Sequence, residues 1–285
     1  MTDKKTVVLY HANCPDGFGA AWSFYKKYGL NAEYIPVSHG APPPPIDGRD
    51  VFIVDFSYSR AIMVEMHRRA NSMVVLDHHK SAEKECSDLG FCHFDMNHSG
   101  AYLAWEHLFG DKSEAPLLIR YVEDRDLWKW RLPKTEEVLS VVDSFDRTFE
   151  NWDSLNLKLD QVDSDTWKSL VSVGSGILAY KNSLIKQLLK NSHNINILGE
   201  SIPAINAPFF QSELASELAM NTSYAAAYYY DGSGYKFSLR SRESGRDVSI
   251  IASKFGGGGH AAASGFSVDE LTELDKEKSN GKEES

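Results

Sequence analysis

Short runs of apolar, mostly β-branched residues alternate with longer amphipathic stretches through the first half of the chain. Val7-Val8-Leu9-Tyr10, Val51-Phe52-Ile53-Val54 and Met73-Val74-Val75-Leu76 contain no charged residue. Uninterrupted runs of this length read as strands buried on both faces, as in a parallel sheet. Between them, Ala20, Ala21, Phe24 and Tyr28 recur at helical spacing, predicting a helix over Asp16–Tyr28. Ser59–Ala70 reads as a second helix with Ser59 as its cap, and Ser99–Phe109 and Ala115–Trp128 read as two more. Pro42-Pro43-Pro44-Pro45 predicts an extended surface connection. The alternation of strand and helix is the signature of βαβ units.

Each of the three apolar runs ends on chemistry. The first runs into His11, the second into Asp55 and the third into Asp77-His78-His79. Ligands of open parallel sheets bind beyond the carboxyl ends of the strands. Neighbouring strand ends would thus deliver His11, Asp16, Asp55, Asp77, His78 and His79 to one crevice. Imidazole and carboxylate together suit Mn²⁺, Fe²⁺, Co²⁺ or Zn²⁺ better than Ca²⁺, which prefers oxygen ligands. The pattern points to a metal-dependent hydrolase.

From about residue 151 to 192 the pattern is polar and helical, as expected of a connector. Residues 193–269 then change character. Ile195–Leu198, Tyr224–Tyr230 and Lys236–Ser241 read as strands, and Gln211–Met220 and Asp247–Phe255 as helices, which predicts a smaller α+β domain. The charged stretch 270–285 is poor in apolar residues and is expected to be disordered.

Bulk composition narrows the class. With 285 residues, 42% hydrophobic and 25% charged, the chain matches a globular protein of one large or two ordinary domains. A formal charge of −10 argues against a broad basic track for long duplex DNA and favours a small phosphorylated partner. No stretch has the apolar length of a membrane span and the start lacks an apolar leader, so a cytoplasmic, membrane-free protein is expected. Three cysteines fit a reducing compartment. Cys86 and Cys92 read as buried small residues. Cys14 lies nearer the proposed chemistry, with no partner arrangement that marks it as a nucleophile.

Five segments in order, HANCPDGFGAA (11–21), VDFS (54–57), LDHHKSA (76–82), YVEDRDLW (121–128) and FGGGGHAAASGF (255–266), resemble the DHH phosphoesterase family, in its DHH–DHHA1 branch. That branch includes RecJ-type exonucleases, nanoRNases, pAp phosphatases and cyclic-dinucleotide phosphodiesterases. The resemblance implies an α/β fold in which a parallel-sheet DHH catalytic domain (1–150) is joined by a helical linker (151–192) to a DHHA1 substrate-binding domain (193–269). It implies Mn²⁺ in one or two sites, with Mg²⁺ or Co²⁺ as substitutes. His11 and Asp16 would hold the first metal, Asp55 would bridge, and His78 with Asp124 would hold the second. His79 would face the substrate phosphate and Asp77 would orient its neighbours. By chemistry alone Asp126 serves nearly as well as Asp124. Gly258, Gly259 and His260 would contact substrate, and His98 lies in a loop that resembles one near the family's active site. Arg240, at the end of a strand in the same second domain, is the candidate for a further phosphate clamp.

The resemblance breaks at two points. Phe18 stands where many relatives carry a second aspartate, and His11 precedes Asp16 by five residues where four is common. Phenylalanine cannot ligate a metal, so either a ligand is missing or another carboxylate substitutes, with Asp126 and Glu123 nearest by sequence. The expected activity is hydrolysis of phosphate esters in small nucleotides or short oligonucleotides: nanoRNA, pAp, or linear and cyclic dinucleotides. A single-strand exonuclease on longer chains and a nucleotide-sensing protein with weak catalysis are the alternatives. Relatives are often dimers, which implies a homodimer.

Overall fold

The structure, a computed structural model, describes residues 5–275 apart from positions 39, 111–113, 160 and 243; residues 276–285 of the expected disordered tail lie outside the described residues. The chain forms two compact units, Met1–Leu178 and Ala179–Ser285.

In the first unit the elements run β1 (Thr6–His11), α1 (Pro15–Tyr28), β2 (Ala32–Val37), β3 (Asp50–Val54), α2 (Arg60–Arg69), β4 (Ser72–Asp77), α3 (Lys80–Cys86), β5 (Cys92–Phe94), α4 (Gly100–Phe109), α5 (Leu117–Asp126), α6 (Thr135–Asp143), α7 (Phe149–Lys158) and α8 (Asp165–Leu188). The strands form a parallel sheet in the order β2-β1-β3-β4-β5. The three uninterrupted apolar runs are thus its three central strands. One face packs Val7, Leu9, Ile53 and Val75 against Met63 and Met66 of α2. The other packs Val8, Val54 and Leu76 against Ala20 and Phe24 of α1 and Leu103 and Ala104 of α4. Pro36 lies in β2 at the sheet edge, where a missing N–H is tolerated.

A third layer gathers α5, α6, α7 and the start of α8 around Trp22, Leu118, Tyr121, Trp152 and Trp167. Residues 151–178 of the expected connector therefore belong to the core of the first unit, and the boundary between units falls inside α8. No described helix is long and apolar enough to cross a membrane.

The second unit continues with β6 (His193–Ile197), β7 (Glu200–Asn206), α9 (Gln211–Ala219), β8 (Ala225–Tyr230), β9 (Tyr235–Arg240), α10 (Val248–Lys254), β10 (Gly258–His260) and β11 (Ala263–Val268). Its mixed sheet has the order β10-β11-β9-β8-β7-β6, with only β7 and β8 parallel. Ala226, Phe237, Leu239 and Phe266 pack on Ile251 of α10 and on Phe255 just after it, while Ile205 and Ala227 pack on Leu214 and Ala215 of α9, so a helix covers each face. One expectation is corrected here. Residues 271–275 are not a loose tail but a 3-10 turn, whose Leu274 is buried in this core and accepts a 2.8 Å hydrogen bond from the Leu198 amide.

Candidate metal centre

Because β1, β3 and β4 are adjacent and parallel, their carboxyl ends bring His11, Asp55 and the segment Asp77–His79 into one row. Asp55 leaves β3 with φ +63°, a left-handed conformation that is costly outside glycine and persists where surroundings enforce it. The first turn of α4 lies against it. A Cβ on Gly100 would sit 2.5 Å from the Asp55 Cβ, so this approach requires glycine. Asp16, in the first turn of α1, accepts hydrogen bonds from the amides of Gly100 (2.6 Å) and Ala101 (2.9 Å), two of the unpaired N–H groups that begin α4. Gly17 is equally constrained: a Cβ there would meet the His11 carbonyl at 2.3 Å.

The side chains converge on His78. Its Nε2 lies 3.2 Å from Asp55 Oδ1, 3.5 Å from Asp126 Oδ2 and 3.6 Å from Asp16 Oδ2. On the other side of Asp55, Oδ2 faces His11 Nδ1 at 3.5 Å. Both of these facing atoms are buried without a hydrogen-bond partner among the described residues. Among the described residues, three sets offer ligand atoms within 4.8 Å of one another: His11, Cys14 and Asp55; Asp55, His78 and His79; and Asp16, His78 and Asp126.

Asp77 does not join these sets but holds two of their members. Its Oδ1 accepts from the amides of His78 (2.7 Å) and His79 (3.2 Å) and pairs with His79 Nδ1 (2.7 Å), while Oδ2 accepts from Ser57 Oγ (2.6 Å). A fully buried carboxylate used in this way fixes the orientation and tautomer of the imidazole it touches.

Proton affinities in the cluster are strongly displaced. Burial, together with the Asp55 and Asp126 carboxylates, holds the Asp16 carboxyl well above the usual range. Burial opposes ionisation of Asp55 too, but the imidazoles of His11, His78 and His79 outweigh it and hold that carboxyl low. Burial disfavours a charged His78, yet Asp55, Asp16 and Asp126 raise it to about 10. Cys14 is pushed well above a normal thiol by burial and then by Asp55, Asp16 and Asp126. Asp16, His78 and Cys14 thus hold their protons tightly, while Asp55 gives its own up. A divalent ion fits this donor set: oxygen and nitrogen ligands, an excess of negative charge, and an unpartnered donor pair facing across a gap.

Of the ligands expected from sequence, the structure brings His11, Asp16, Asp55 and His78 together and leaves Asp124 out. Asp124 is buried, with Oδ1 accepting from the Arg131 amide (2.7 Å) and Oδ2 from the Leu132 amide (3.1 Å) and Thr135 Oγ1 (2.6 Å). It anchors the loop after α5. Residues two positions apart in a helix are separated by about 200° of rotation, so only one of Asp124 and Asp126 can face the crevice, and it is Asp126.

Phe18 packs among Tyr10, Phe149 and Trp152, with ring centroids 5.1–5.9 Å away, and contributes to the core. His98 stacks on Tyr102 and pairs with Glu123 at 3.2 Å, and Glu123 also receives Lys129 at 3.0 Å. Neither His98 nor Glu123 joins the ligand sets. Cys14 is the member that the sequence reading missed; its signal was its place between His11 and Asp16 in the first motif.

In the second unit, register puts His260 opposite Ala263 and Ala263 opposite Arg240, so the two expected substrate contacts share one rung and one face of the sheet. Arg240 donates to Ser212 Oγ of α9 (2.6 Å) and to the Leu239 carbonyl (2.8 Å). Gly258–His260 form an exposed edge strand. Gly259, at φ +138°, and Gly257, whose Cβ would meet the Gly265 carbonyl at 2.1 Å, both require glycine.

No family model matches the sequence. The uncharacterized protein R106 of Acanthamoeba polyphaga mimivirus is 32% identical, an alignment that covers 93% of this chain and 68% of the viral protein. The fold is similar to that of RecJ from Thermus thermophilus, solved in complex with Mn²⁺, at a TM-score of 0.52 and 16% identity over 95% of this chain. The chain spans 50% of that RecJ structure. An exopolyphosphatase-related protein from Bacteroides fragilis is similar at a TM-score of 0.52 and 14% identity, covering 95% of this chain and 90% of the other.

Proposed function

We propose that the chain, which shares its fold with RecJ and an exopolyphosphatase-related protein and carries the five segments that resemble the DHH–DHHA1 family, is a divalent-metal-dependent phosphoesterase of that family acting on small nucleotides or short oligonucleotides. The observation that carries this reading is the convergence of His11, Asp16, Asp55, His78 and Asp126 around the unpartnered pair His11 Nδ1 and Asp55 Oδ2. Asp55 and His78 each belong to two of the ligand sets, and Asp55, with one oxygen toward His11 and the other toward His78, would be the ligand held in common by two ions. The ions we assign are divalent, with Mn²⁺ or Mg²⁺ in at least one position, and they would supply Lewis-acid stabilisation of phosphate and a bound water of lowered pKa.

The protein's own groups prepare the site. Asp16 is held by two α4 amides, and Asp77 holds His79, so neither needs to reorganise when substrate arrives. Burial opposes a charge on His79, but the Asp77 and Asp55 carboxylates raise its proton affinity, and a protonated imidazole would neutralise an oxygen of the scissile phosphate. In the second unit, Arg240 and His260 on one rung suit a second phosphate or the sugar–phosphate backbone of a short substrate.

The test is a substrate panel of linear and cyclic dinucleotides, a 3′,5′-bisphosphorylated nucleoside, a longer single strand and inorganic polyphosphate. Each is incubated with Mn²⁺, Mg²⁺ or EDTA, and products are read by chromatography. Turnover of the short nucleotides that EDTA abolishes is the expected result. Equal or faster turnover of polyphosphate, or of the long strand, would overturn the substrate assignment.

A further inference from the structure

Cys14 occupies the position just before α1, with the extended backbone of a helix cap (φ −113°, ψ 135°), yet its side chain makes no capping hydrogen bond. Serine, threonine, aspartate or asparagine would make that bond, and cysteine makes it poorly. The thiol has other neighbours: it lies within 4.8 Å of ligand atoms of His11 and Asp55. Those two residues carry the facing atoms Nδ1 and Oδ2, 3.5 Å apart, buried and unpartnered, and Asp55 is only 1% exposed. An unsatisfied, buried carboxylate oxygen and a cysteine at the start of a 14-residue helix thus border the same space.

The ligand sets also differ in kind. His11, Cys14 and Asp55 offer nitrogen, sulfur and oxygen, while Asp16, His78 and Asp126 offer one nitrogen and two carboxylates. Sulfur selects softer ions such as Zn²⁺, whereas carboxylate-rich sites suit Mn²⁺ and Mg²⁺.

We propose that Cys14 is a metal ligand and that the centre has two unlike halves. The half built on His11, Cys14 and Asp55 selects a softer first-row dication, Zn²⁺, Fe²⁺ or Co²⁺. The half built on Asp16, His78 and Asp126 takes the harder Mn²⁺ or Mg²⁺. This assignment rests on the metal-dependent reading above. On binding, the S–H bond breaks, its proton passes to solvent, and the sulfur lone pair forms the metal–sulfur bond.

Cobalt titration of the metal-free full chain, followed by ultraviolet–visible absorption, tests it. The expected result is a near-ultraviolet thiolate-to-cobalt charge-transfer band that grows with bound Co²⁺ and is absent from Cys14→Ser and Cys14→Ala. Cys86 and Cys92 are buried in the apolar layer beside Met63 and Met66 and belong to no metal-capable set among the described residues. The wild-type band is therefore diagnostic even if a variant fails to fold. In competition, the preference for Zn²⁺ over Mn²⁺ should fall about tenfold or more in Cys14→Ser, since loss of even an outlying partner of a metal ligand costs that much affinity. Bound cobalt without the band, or a band that survives Cys14→Ala, overturns the ligand assignment, and hydrolysis by the same protein would show that the phosphoesterase reading stands without it. A band from a protein that hydrolyses none of the panel would keep Cys14 as a ligand and remove the function.

Discussion

The two units treat buried polarity in opposite ways. Beneath the crevice of the first, Asp16, Asp55 and Asp77 are each no more than 1% exposed, and His78 is 6% exposed. In the second, the candidate contacts Gly258–His260 stand on an exposed edge strand and Arg240 is half-buried on β9, while the interior below is a stack of Phe237, Phe266 and Phe255 with ring centroids 4.3–4.8 Å apart. Burying several carboxylates together is costly unless opposite charge compensates them. The first unit carries that cost at the ends of the three strands that are otherwise its most apolar. The second carries no comparable cluster among its described residues. On the proposed reading, the difference assigns the chemistry to the first unit and recognition to the second.

The sharpest way to break this comparison is to remove the shared carboxylate. Asp55→Asn should lower turnover by about three orders of magnitude or more, on the order of 4 kcal/mol in the barrier. It should lower the metal-free melting temperature, because the fold favours the Asp55 carboxylate over its neutral form and that carboxylate in turn holds the His78 proton. Substantial turnover in a folded Asp55→Asn protein would remove the centre from the reaction.

Asp124 and Asp126 divide the same way within a single helix turn. Asp124→Ala strips acceptors from two amides and a hydroxyl and should cost about 3 kcal/mol of stability, with turnover per folded molecule retained. Asp126→Asn should leave the melting temperature near that of wild type and weaken metal binding, read by calorimetric titration with Mn²⁺. Reversed outcomes would restore Asp124 to the centre.

That pair also marks where the sequence stopped being informative. His11, Asp55 and His78 were legible because a strand end has no rotational freedom: once β1, β3 and β4 are known to be adjacent, the residues at their carboxyl ends must meet. A ligand on a helix depends on the rotational phase of that helix. For α5 the phase is set by the packing of Leu118, Tyr121 and Val122, and by the loop that returns through Arg131, Leu132 and Thr135 to enclose Asp124. Neither is local in sequence. The strands that escaped notice have a different cause. β2 holds Pro36, β7 holds Pro203, and β11 reads Ala-Ser-Gly-Phe-Ser-Val, too rich in small residues for an apolar run. Cys14 escaped because Asp55, its second neighbour in the set, is brought to it by β3 and not by the motif that Cys14 shares with His11.

In the second unit, Arg240→Ala should raise KM for nucleotides about tenfold or more, as loss of a hydrogen bond to a charged group does, while kcat changes little. Its loss to catalysis instead, with KM unchanged, would show that the second unit does more than hold substrate.

The gentlest probe is pH. In the metal-free protein His78 is raised to about 10 by its carboxylate neighbours, against about 6.5 in an unfolded chain. A proton held more tightly in the folded state stabilises fully below the unfolded value and is lost as pH rises through the folded one. The first unit in EDTA should therefore lose stability steadily above about pH 6.5, and the raised carboxyl of Asp16 adds in the same direction. A metal ion needs the deprotonated ligands, so its affinity should rise over the same interval and protons should be released on binding. Melting curves in EDTA and in Mn²⁺ should diverge with increasing pH, and the transition of the second unit should not move between them if the two units melt separately. Parallel curves would mean that the protons on His78 and Asp16 are not what the metal displaces, and the cluster would lose its claim to be a metal centre.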